Sequence, residues 1–462
     1  MSGPLNELSA WAASLTATAI PEDVARIARL QHLALAGAAR RLAGLPSGVA
    51  CGGGESGLIA AFLLFGFDDH LLGGRVGAAS APVGWARANG SLDALIAATV
   101  AANELAGRAG LACLLAHRPD EVDVRTMRVA AAVMRAKLAG ASAGELNAAV
   151  EGALAGGGGL PMAAVADVAG AQQAARGILD SGGGSPLVEA MAGVPLLNPW
   201  TGGGSVWLSR TLVVPRFPGT PWANVALDAL DVILVRHMKA GEKRLRADQV
   251  ERIELRTAFG PAATEAGSAG FGAPALGAWS IAEAFGVMVA HHELGPEWLD
   301  AGAAPEKTEE VAAVASRLSI VHDWRLSVRK GRIAAESMGP LLGGAGASTV
   351  LRAAKPLLLG RPDPESIVPM FQERPWSIVR ALRRPGGLGA CQLDAAQCWP
   401  TELKLYTTRG GWWPERRSVP TGGGVGLEAA AKARFGHDTR ADALLAAPGE
   451  QPAAEWIAEL RA

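Results

Sequence analysis

The stretch Ser91–Arg108, which reads SLDALIAATVAANELAGR, decides the class of fold. Its large apolar residues Leu92, Leu95 and Ile96 recur at the spacing of one face of an α-helix. Ser91 precedes them, at the position where serine caps a helix N-terminus. Alanine fills many other positions, and it combines the best helix propensity with a side chain small enough for close packing. The stretch therefore predicts a helix packed among other helices.

The same alanine-rich, helically spaced sequence continues on both sides of this stretch. Pro21 followed by Glu22 and Asp23 marks a helix start, because proline suits the first turn and acids there complement the helix dipole. Ser142 and Glu145 have the spacing of a capping box. We predict that residues 5–155 are helical almost throughout, and that further helices lie at 163–181, 278–292, 308–318, 427–435 and 453–461.

The middle of the chain has a different texture. Val206–Val214 is β-branched and apolar, which is typical of a strand. Val250–Arg256 and Glu402–Thr407 alternate as half-buried strands do, and Arg409-Gly410-Gly411 indicates a hairpin turn. We therefore predict a mainly α protein with an inserted α+β domain. Its parts are a helical domain at 1–205, the insertion at 206–422, and the returning helical part at 423–462.

Composition and charge exclude several classes of function. The chain has 43 basic and 44 acidic residues, so its net charge of −1 offers no electrostatic footprint for nucleic acid or an anionic membrane. A hydrophobic content of 49% is too high for a disordered protein. The four scattered cysteines lack C-x-x-C spacing, which favours reduced thiols in a cytoplasmic protein. The N-terminus has no basic segment typical of a secretory signal.

Two motifs with apparent chemistry are better explained by structure. Gly140–Gly144 matches the G-x-S-x-G nucleophile pattern, but it lies between two predicted helices, where Ser142 serves as a cap. His291 and His292 are ligand types for zinc, yet neighbouring helical residues point about 100° apart and cannot share a metal. We therefore expect no metal site.

The segment Phe67-Asp68-Asp69-His70, with Arg75 close behind, remains as the candidate for chemistry. It follows an apolar run and precedes a glycine-rich stretch, so two acids and a histidine stand at the end of a predicted helix. Acids beside a histidine can act as a base and its orienting group. They can equally be the solvated end of a helix, and the residues alone leave both interpretations open.

Seven short segments then occur in an order that spans most of the chain: Ile20–Val24, Gly66–Asp69, Asn89–Arg108, Lys137–Gly140, Ser185–Gly193, Arg216–Asp228 and Ala278–Ala282. Together they resemble the MmgE/PrpD family, which includes 2-methylcitrate dehydratase, cis-aconitate decarboxylase and iminodisuccinate epimerase. Gly66-Phe67-Asp68-Asp69, for example, is similar to the family's Asp-Phe-Asp-Asp signature. The resemblance implies an all-helical domain built from both ends of the chain, with a smaller α+β lid inserted, and a homodimer. It also implies cofactor-free proton transfer on small di- or tricarboxylates in the cleft between the domains.

The chain departs from the family at most of its charged positions. Gly66 stands where the family has an acid, His70 replaces a threonine, Val76 lies near the place of a histidine, Pro215 replaces a lysine, and Asn224 replaces a histidine. None of the eight lysines lies where this family's chemistry would need one. Because a tricarboxylate needs cations to hold its charges, we expect a less anionic and more apolar substrate.

The resemblance also suggests which residues face the substrate. Three tryptophans lie on segments that line the family's cleft, and aromatic walls suit an uncharged ring or an acyl chain, although core packing explains them equally well. An arginine would hold a carboxylate or a developing enolate. The candidate catalytic residues are Asp68, Asp69 and His70, and the candidate substrate-binding residues are Arg75, Trp207, Arg216, Trp222, Asn224 and Trp279.

Three hypotheses follow for the function. The first is a lyase, isomerase or cyclase on a repurposed family scaffold, without a cofactor, acting on a relatively uncharged small molecule in specialised metabolism. The second is a catalytically silent relative that serves as a binding protein or as the partner of an active one. The third is an ordinary 2-methylcitrate dehydratase or cis-aconitate decarboxylase activity, which the missing lysines disfavour.

Overall fold

A computed structural model of the chain describes residues 4–45, 54–115, 122–155, 168–180, 200–240, 244–258, 280–295, 298, 308–342, 388–436 and 439–462. The described residues are mainly helical and include one small mixed sheet. Trp279, predicted to bind substrate, lies outside them, as does most of the stretch 350–400.

Eight helices form the N-terminal part of the described chain. They are α1 (Pro4–Ser14), α2 (Glu22–Ala43), α3 (Gly54–Phe65), α4 (Gly77–Arg87), α5 (Leu92–Leu115), α6 (Val122–Leu138), α7 (Ala143–Ala155) and α8 (Val168–Leu179). The sequence signals that predicted them are visible in the structure. Ser142 Oγ accepts a hydrogen bond from the Glu145 amide at 3.4 Å, and the Ser142 amide donates to Glu145 Oε2 at 2.8 Å, which confirms the capping box.

Glycine and alanine allow the helices around α5 to approach closely. α5 is buried continuously from Leu95 to Cys113 and packs against α6, α2 and α4. A β-carbon placed on Gly110 of α5 would stand 1.6 Å from the carbonyl oxygen of Gly73. The backbone of the loop before α4 therefore lies directly on α5, as the alanine- and glycine-rich sequence predicts.

The sheet lies in the middle of the chain and has four strands in the order β2-β1-β3-β4. The strands are β1 (Val250–Thr257), β2 (Leu318–His322), β3 (Thr401–Thr407) and β4 (Trp412–Arg417). β1 is parallel to β2 and antiparallel to β3, with Ile253 opposite Leu318 and Leu405. β3 and β4 form the predicted hairpin, in which Gly410 has a φ of 82°.

Helices accompany the sheet and then return to the N-terminal part. The first group is α9 (Pro221–Lys239), α10 (Ile281–His291), α11 (Thr308–Ala315), α12 (Trp324–Leu342) and the short α13 (Leu393–Ala396), and the last group is α14 (Leu427–Phe435), α15 (Thr439–Leu445) and α16 (Ala453–Arg461). The last three pack against α2, and α16 also contacts α5. One continuous apolar core runs from α1 through the sheet to α16.

The mainly α architecture with a small α/β part confirms the predicted class. The strand expected at Val206–Val214 is wrong, because Leu208–Thr211 is a 3₁₀ helix and Val213 alone makes bridge contacts, with His70 and Gly423. The domain boundaries at 205 and 422 stay a prediction. No helix among the described residues is long and apolar enough to span a bilayer.

Candidate functional site

The turn between α3 and α4 carries the predicted catalytic residues, and glycine sets its shape. Gly66 follows α3 with a φ of 58°, in the left-handed region that glycine favours. Its carbonyl accepts a hydrogen bond from the Gly219 amide at 2.7 Å, and a β-carbon on Gly66 would stand 3.1 Å from that nitrogen. A larger residue would be strained here, which gives a physical reason for glycine before Phe67.

Asp68 is a fully buried carboxylate with only one partnered oxygen. Arg75 Nε donates to its Oδ2 at 2.6 Å, and the Nη2 of the same guanidinium donates to the Phe62 carbonyl at 2.9 Å. Asp68 Oδ1 has no hydrogen-bond partner among the described residues, and His70 Nε2 lies 3.7 Å from it. Burial raises the pKa of the Asp68 carboxyl, against the opposing charges of Arg75 and Arg434.

Asp69 is equally buried, but both of its oxygens accept hydrogen bonds. Gln31 Nε2 donates to Oδ2 at 2.5 Å, and the Gly77 amide donates to Oδ1 at 2.8 Å. The Gln31 amide is itself fixed by Asn103, whose Nδ2 donates to Gln31 Oε1 at 2.8 Å. Burial and the neighbouring charge of Asp68 raise the pKa of Asp69 to about 7. Asp69 therefore gains or loses its proton near neutral pH without leaving the core.

His70 is held by its backbone and remains neutral. Its amide donates to the Val213 carbonyl at 2.9 Å, and the Val213 amide donates back to the His70 carbonyl at 2.8 Å. Burial lowers the pKa of the imidazole to about 3, and the charge of Arg75 acts in the same direction. A neutral imidazole offers one donor and one acceptor nitrogen, so this ring can give or take a hydrogen bond beside Asp68.

Arg434 is a member of this cluster that the sequence did not reveal. It lies on α14, and its Nη1 donates to the backbone carbonyl of Asp68 at 2.6 Å, while Nη2 donates to the Pro215 carbonyl. Its guanidinium also lies 4.1 Å from the centre of the Phe67 ring. Burial lowers the pKa of Arg434 to about 9. No local pattern signals this role, because 366 residues separate Arg434 from Asp68.

Gln31 and Asn103 were also missed, although the sequence carries a signal for them. Each is a polar residue on a helix face that is otherwise apolar, and each is buried. Buried polar side chains generally have hydrogen-bond partners, so an isolated amide within an apolar helix indicates a partner elsewhere. Here the partners are each other and Asp69.

Asn224 contributes to the shape of the neighbouring turn. Its Oδ1 accepts from the Phe217 amide at 2.8 Å, and its Nδ2 donates to the carbonyls of Phe217 at 3.0 Å and Thr220 at 3.2 Å. The side chain is fully buried, and these bonds hold the turn that places Gly219 against Gly66. The structure therefore brings Asn224 close to the cluster, with its amide bonded to the protein's own backbone.

The other predicted substrate-binding residues lie in different surroundings. Trp207 is buried and packs edge-to-face on Trp11, with ring centres 5.6 Å apart. Trp222 is buried in the first turn of α9. Arg216 is half exposed and donates to Asp231 at 2.5 Å, so it points away from the buried acids. Arg75 does reach a predicted catalytic side chain, because its Nε donates to Asp68 Oδ2.

The cluster brings together the carboxylates of Asp68 and Asp69, the neutral imidazole of His70 and the guanidinium groups of Arg75 and Arg434. The first four lie in the turn between α3 and α4, and Arg434 lies on α14. Its chemical capacity is proton transfer, because one carboxylate oxygen is unpartnered and a second carboxyl has a pKa near neutrality. The described residues contain no cluster of three histidine, cysteine or acidic side chains that could hold a metal ion. No family model and no curated protein matches this chain.

Proposed function

We propose that the chain is a divergent member of the MmgE/PrpD family that acts as a cofactor-free lyase, isomerase or cyclase. Its substrate would be a small, weakly charged organic molecule, and its reaction would begin with removal of a proton from carbon. One observation carries this proposal. The buried Oδ1 of Asp68 has no hydrogen-bond partner among the described residues, and it lies 3.7 Å from His70 Nε2. A buried acceptor without a donor lowers the stability of the fold, so we expect such an atom to serve a function. Accepting a proton from a substrate is such a function.

The two residues would have different roles. Asp68 is the base, because burial raises its pKa and so makes it a better proton acceptor than an exposed aspartate. The one N–H of neutral His70 bonds the Gly219 backbone in this structure, and when that segment moves aside it would donate to the oxygen on which negative charge develops. Arg75 and Arg434 hold Asp68 through its Oδ2 and its carbonyl, and they are positioning residues.

The remaining residues of the cluster would support this pair. Asp69 uses both oxygens on Gln31 and Gly77, so it positions the turn and does not contact the substrate. Because Asp68 is fully buried, substrate entry requires the segment of Val213 and Gly219 to move aside. Arg75 is bonded to Asp68, and Arg434 is bonded to two backbone carbonyls. Because both guanidinium groups already have partners within the protein, we expect a substrate with little negative charge.

The proposal can be tested before the substrate is known. The protein is incubated in D₂O with a panel of ketones, lactones, enoates and carboxylates, including 2-methylcitrate and cis-aconitate, and exchange of carbon-bound hydrogen is followed by NMR. We expect exchange on a neutral or singly charged compound. Asp68→Asn should abolish it, and His70→Gln should slow it about 10²-fold or more. The control Asp248→Asn changes an exposed acid and should leave the rate unchanged.

The same experiment has outcomes that would overturn the proposal. Equal exchange rates in the wild type, Asp68→Asn and His70→Gln would remove both residues from the mechanism. Turnover of 2-methylcitrate or cis-aconitate at the highest rate in the panel would favour the ordinary family activity. Each variant should first show the far-ultraviolet circular dichroism of the wild type, so that a lost rate reports on chemistry and not on unfolding.

The second hypothesis, a catalytically silent binding or partner protein, is favoured by one observation. The side chains of Asp69 and Asn224 form hydrogen bonds within the protein. Arg75 does the same with Asp68 and with the Phe62 carbonyl. Such a cluster can be purely structural. No exchange on any compound of the panel, together with a stable homodimer or hetero-oligomer in light scattering, would support this alternative.

A further inference from the structure

A concave site lies at one end of the sheet, and no residue of the Asp68 cluster lines it. It is a pocket of about 240 Å³ lined by His237, Leu245, Gln249, Thr407, Arg409, Gly411 and Trp413. The last turn of α9, the 3₁₀ turn before β1, and the β3–β4 hairpin meet there. No lining residue belongs to the Asp68 cluster, so the pocket calls for its own explanation.

His237 is the polar group in this pocket that the protein leaves unused. The residue is 7% exposed, and its Nδ1 has no hydrogen-bond partner among the described residues. Its ring meets that of Trp413 edge-to-face, with centres 5.6 Å apart. A buried nitrogen without a partner costs stability, and a ligand that reaches it would recover that loss.

The walls of the pocket are preformed. The Thr407 amide donates to the Gly411 carbonyl at 2.9 Å, and the Gly410 amide donates back to the Thr407 carbonyl at 2.9 Å. The Thr408 amide donates to the Gln249 carbonyl at 2.9 Å, which fixes the hairpin to the turn before β1. Preformed walls reduce the conformational entropy that the protein must lose when a ligand binds.

The polar groups of the pocket suit an anion. Arg409 supplies a positive charge at its rim, and none of the described lining residues is acidic. The side-chain carbonyl of Gln249 already accepts from the Arg246 amide at 2.9 Å, so the part of this amide left for a ligand is its NH₂ donor. Guanidinium, amide and imidazole donors together match a carboxylate.

The apolar groups and the volume suit one planar ring. The indole of Trp413 and the side chain of Leu245 form the apolar wall. A cavity of about 150 Å³ accommodates a benzene ring, so the observed 240 Å³ leaves room for one ring and a carboxylate. Edge-to-face or stacked contact with an indole favours an aromatic ring over an alkyl group of similar size.

We propose that this pocket is a binding site for a small monocyclic aromatic carboxylate, which His237 and Arg409 hold by its charge and Trp413 holds by its ring. The site is separate from the proposed reaction centre and does not depend on it.

Calorimetric titration of the full chain with sodium benzoate tests this site. We expect saturable one-to-one binding that is weaker for benzyl alcohol, which lacks the charge, and for acetate, which lacks the ring. Arg409→Gln changes an exposed residue and should lower the affinity about 10- to 100-fold, the value of a charge-assisted hydrogen bond. Trp413→Leu should also lower it. The control Arg246→Gln, whose side chain is 75% exposed, should bind as the wild type does.

Two results would overturn the proposal. One is the absence of saturable benzoate binding to the wild type. The other is unchanged affinity in both Arg409→Gln and Trp413→Leu. Benzoate binding that disappears in Asp68→Asn but persists in Arg409→Gln would place the ligand in the Asp68 cluster instead, and it would leave the proposed function standing while this site fails.

Discussion

Two buried acid–arginine pairs in this protein differ in how completely their carboxylates are bonded. Glu104 on α5 accepts from Arg108 Nη1 at 2.5 Å and from the amides of Leu208 and Ser209 at 2.9 and 2.8 Å, and Ser209 Oγ adds a fourth bond at 2.9 Å. Asp68 has one such side-chain bond, from Arg75.

The comparison separates structural support from chemical capacity. Glu104 caps the 3₁₀ helix Leu208–Thr211 and joins it to α5, so every oxygen lone pair has a structural use. Asp68 is equally buried and keeps one oxygen unpartnered. A buried acid whose bonds are complete stabilises a fold, whereas one whose bonds are incomplete has capacity left for a substrate.

The largest expected effect is on stability, and it should fall on Glu104. Glu104→Gln removes the negative charge that balances Arg108. It also replaces one acceptor oxygen by an NH₂ group that faces the donors of Ser209 or Arg108. We therefore expect a loss of about 3–5 kcal/mol in the free energy of unfolding. Asp68→Asn should lose less, because the amide oxygen of the new side chain can still accept from Arg75 Nε and Arg75 keeps its bond to the Phe62 carbonyl. Urea unfolding measures both. Equal losses would break the distinction between the two pairs.

An intermediate effect should appear in the pH dependence of stability. The pKa of Asp69 is about 7 in the folded protein and about 3.9 when unfolded, so the folded chain binds this proton more tightly. The stability that Asp69 contributes is therefore fully present below about pH 4 and is lost as the pH rises to about 7. Asparagine does not titrate, so the Asp69→Asn variant does not lose stability in this way. Between pH 5 and 7 its free energy of unfolding should rise by about 1–3 kcal/mol relative to that of the wild type.

Urea unfolding at pH 5, 6 and 7 measures this difference. Burial lowers the pKa of His70 to about 3 and that of His32 to about 4, so these histidines make the fold more stable as the pH rises towards 6.5. The wild type and Asp69→Asn both contain them, so their contribution cancels in the difference. Asp248→Asn, at an exposed acid, should follow the wild type. A difference between wild type and Asp69→Asn that is constant with pH would contradict the raised pKa.

The smallest expected effect concerns an exposed pair. Arg216 Nη1 lies 2.5 Å from Asp231 Oδ2, but the arginine side chain is 51% exposed, so solvent screens the attraction between the two charges. Arg216→Gln should change the free energy of unfolding by less than about 0.5 kcal/mol. It should also leave the deuterium exchange rate unchanged. A large loss of exchange in this variant would restore the substrate-binding role that the sequence suggested for Arg216.

Helices and the sheet could be predicted from the sequence because their signals are local. The spacing of Leu92, Leu95 and Ile96 predicts α5, and the Ser142–Glu145 box predicts the start of α7. The alternation in Val250–Arg256 predicts β1. Each signal depends on residues within one element, so no knowledge of the tertiary structure is needed.

The failures have a common physical cause. Val206–Val214 has the composition of a strand, but Glu104 accepts from the amides of Leu208 and Ser209 and so stabilises a 3₁₀ turn instead. The acids and Arg75 of the site could be found because they are neighbours in sequence. The apolar helix face around Gln31 signals a buried partner, but the identity of the partners of Gln31 and Arg434 could not be predicted, because these contacts cross 38 and 366 residues. Tertiary partners decide both the local backbone and the state of the buried acids.

The position of Arg434 has a consequence for how the protein is made. During synthesis, Asp68, Arg75 and the Val213 segment leave the ribosome long before α14 does. Until Arg434 arrives, the carbonyls of Asp68 and Pro215 lack this donor, and the face of α2 around Gly37 is uncovered. In the nascent chain the buried Asp68 cluster therefore stays incomplete until α14 has docked.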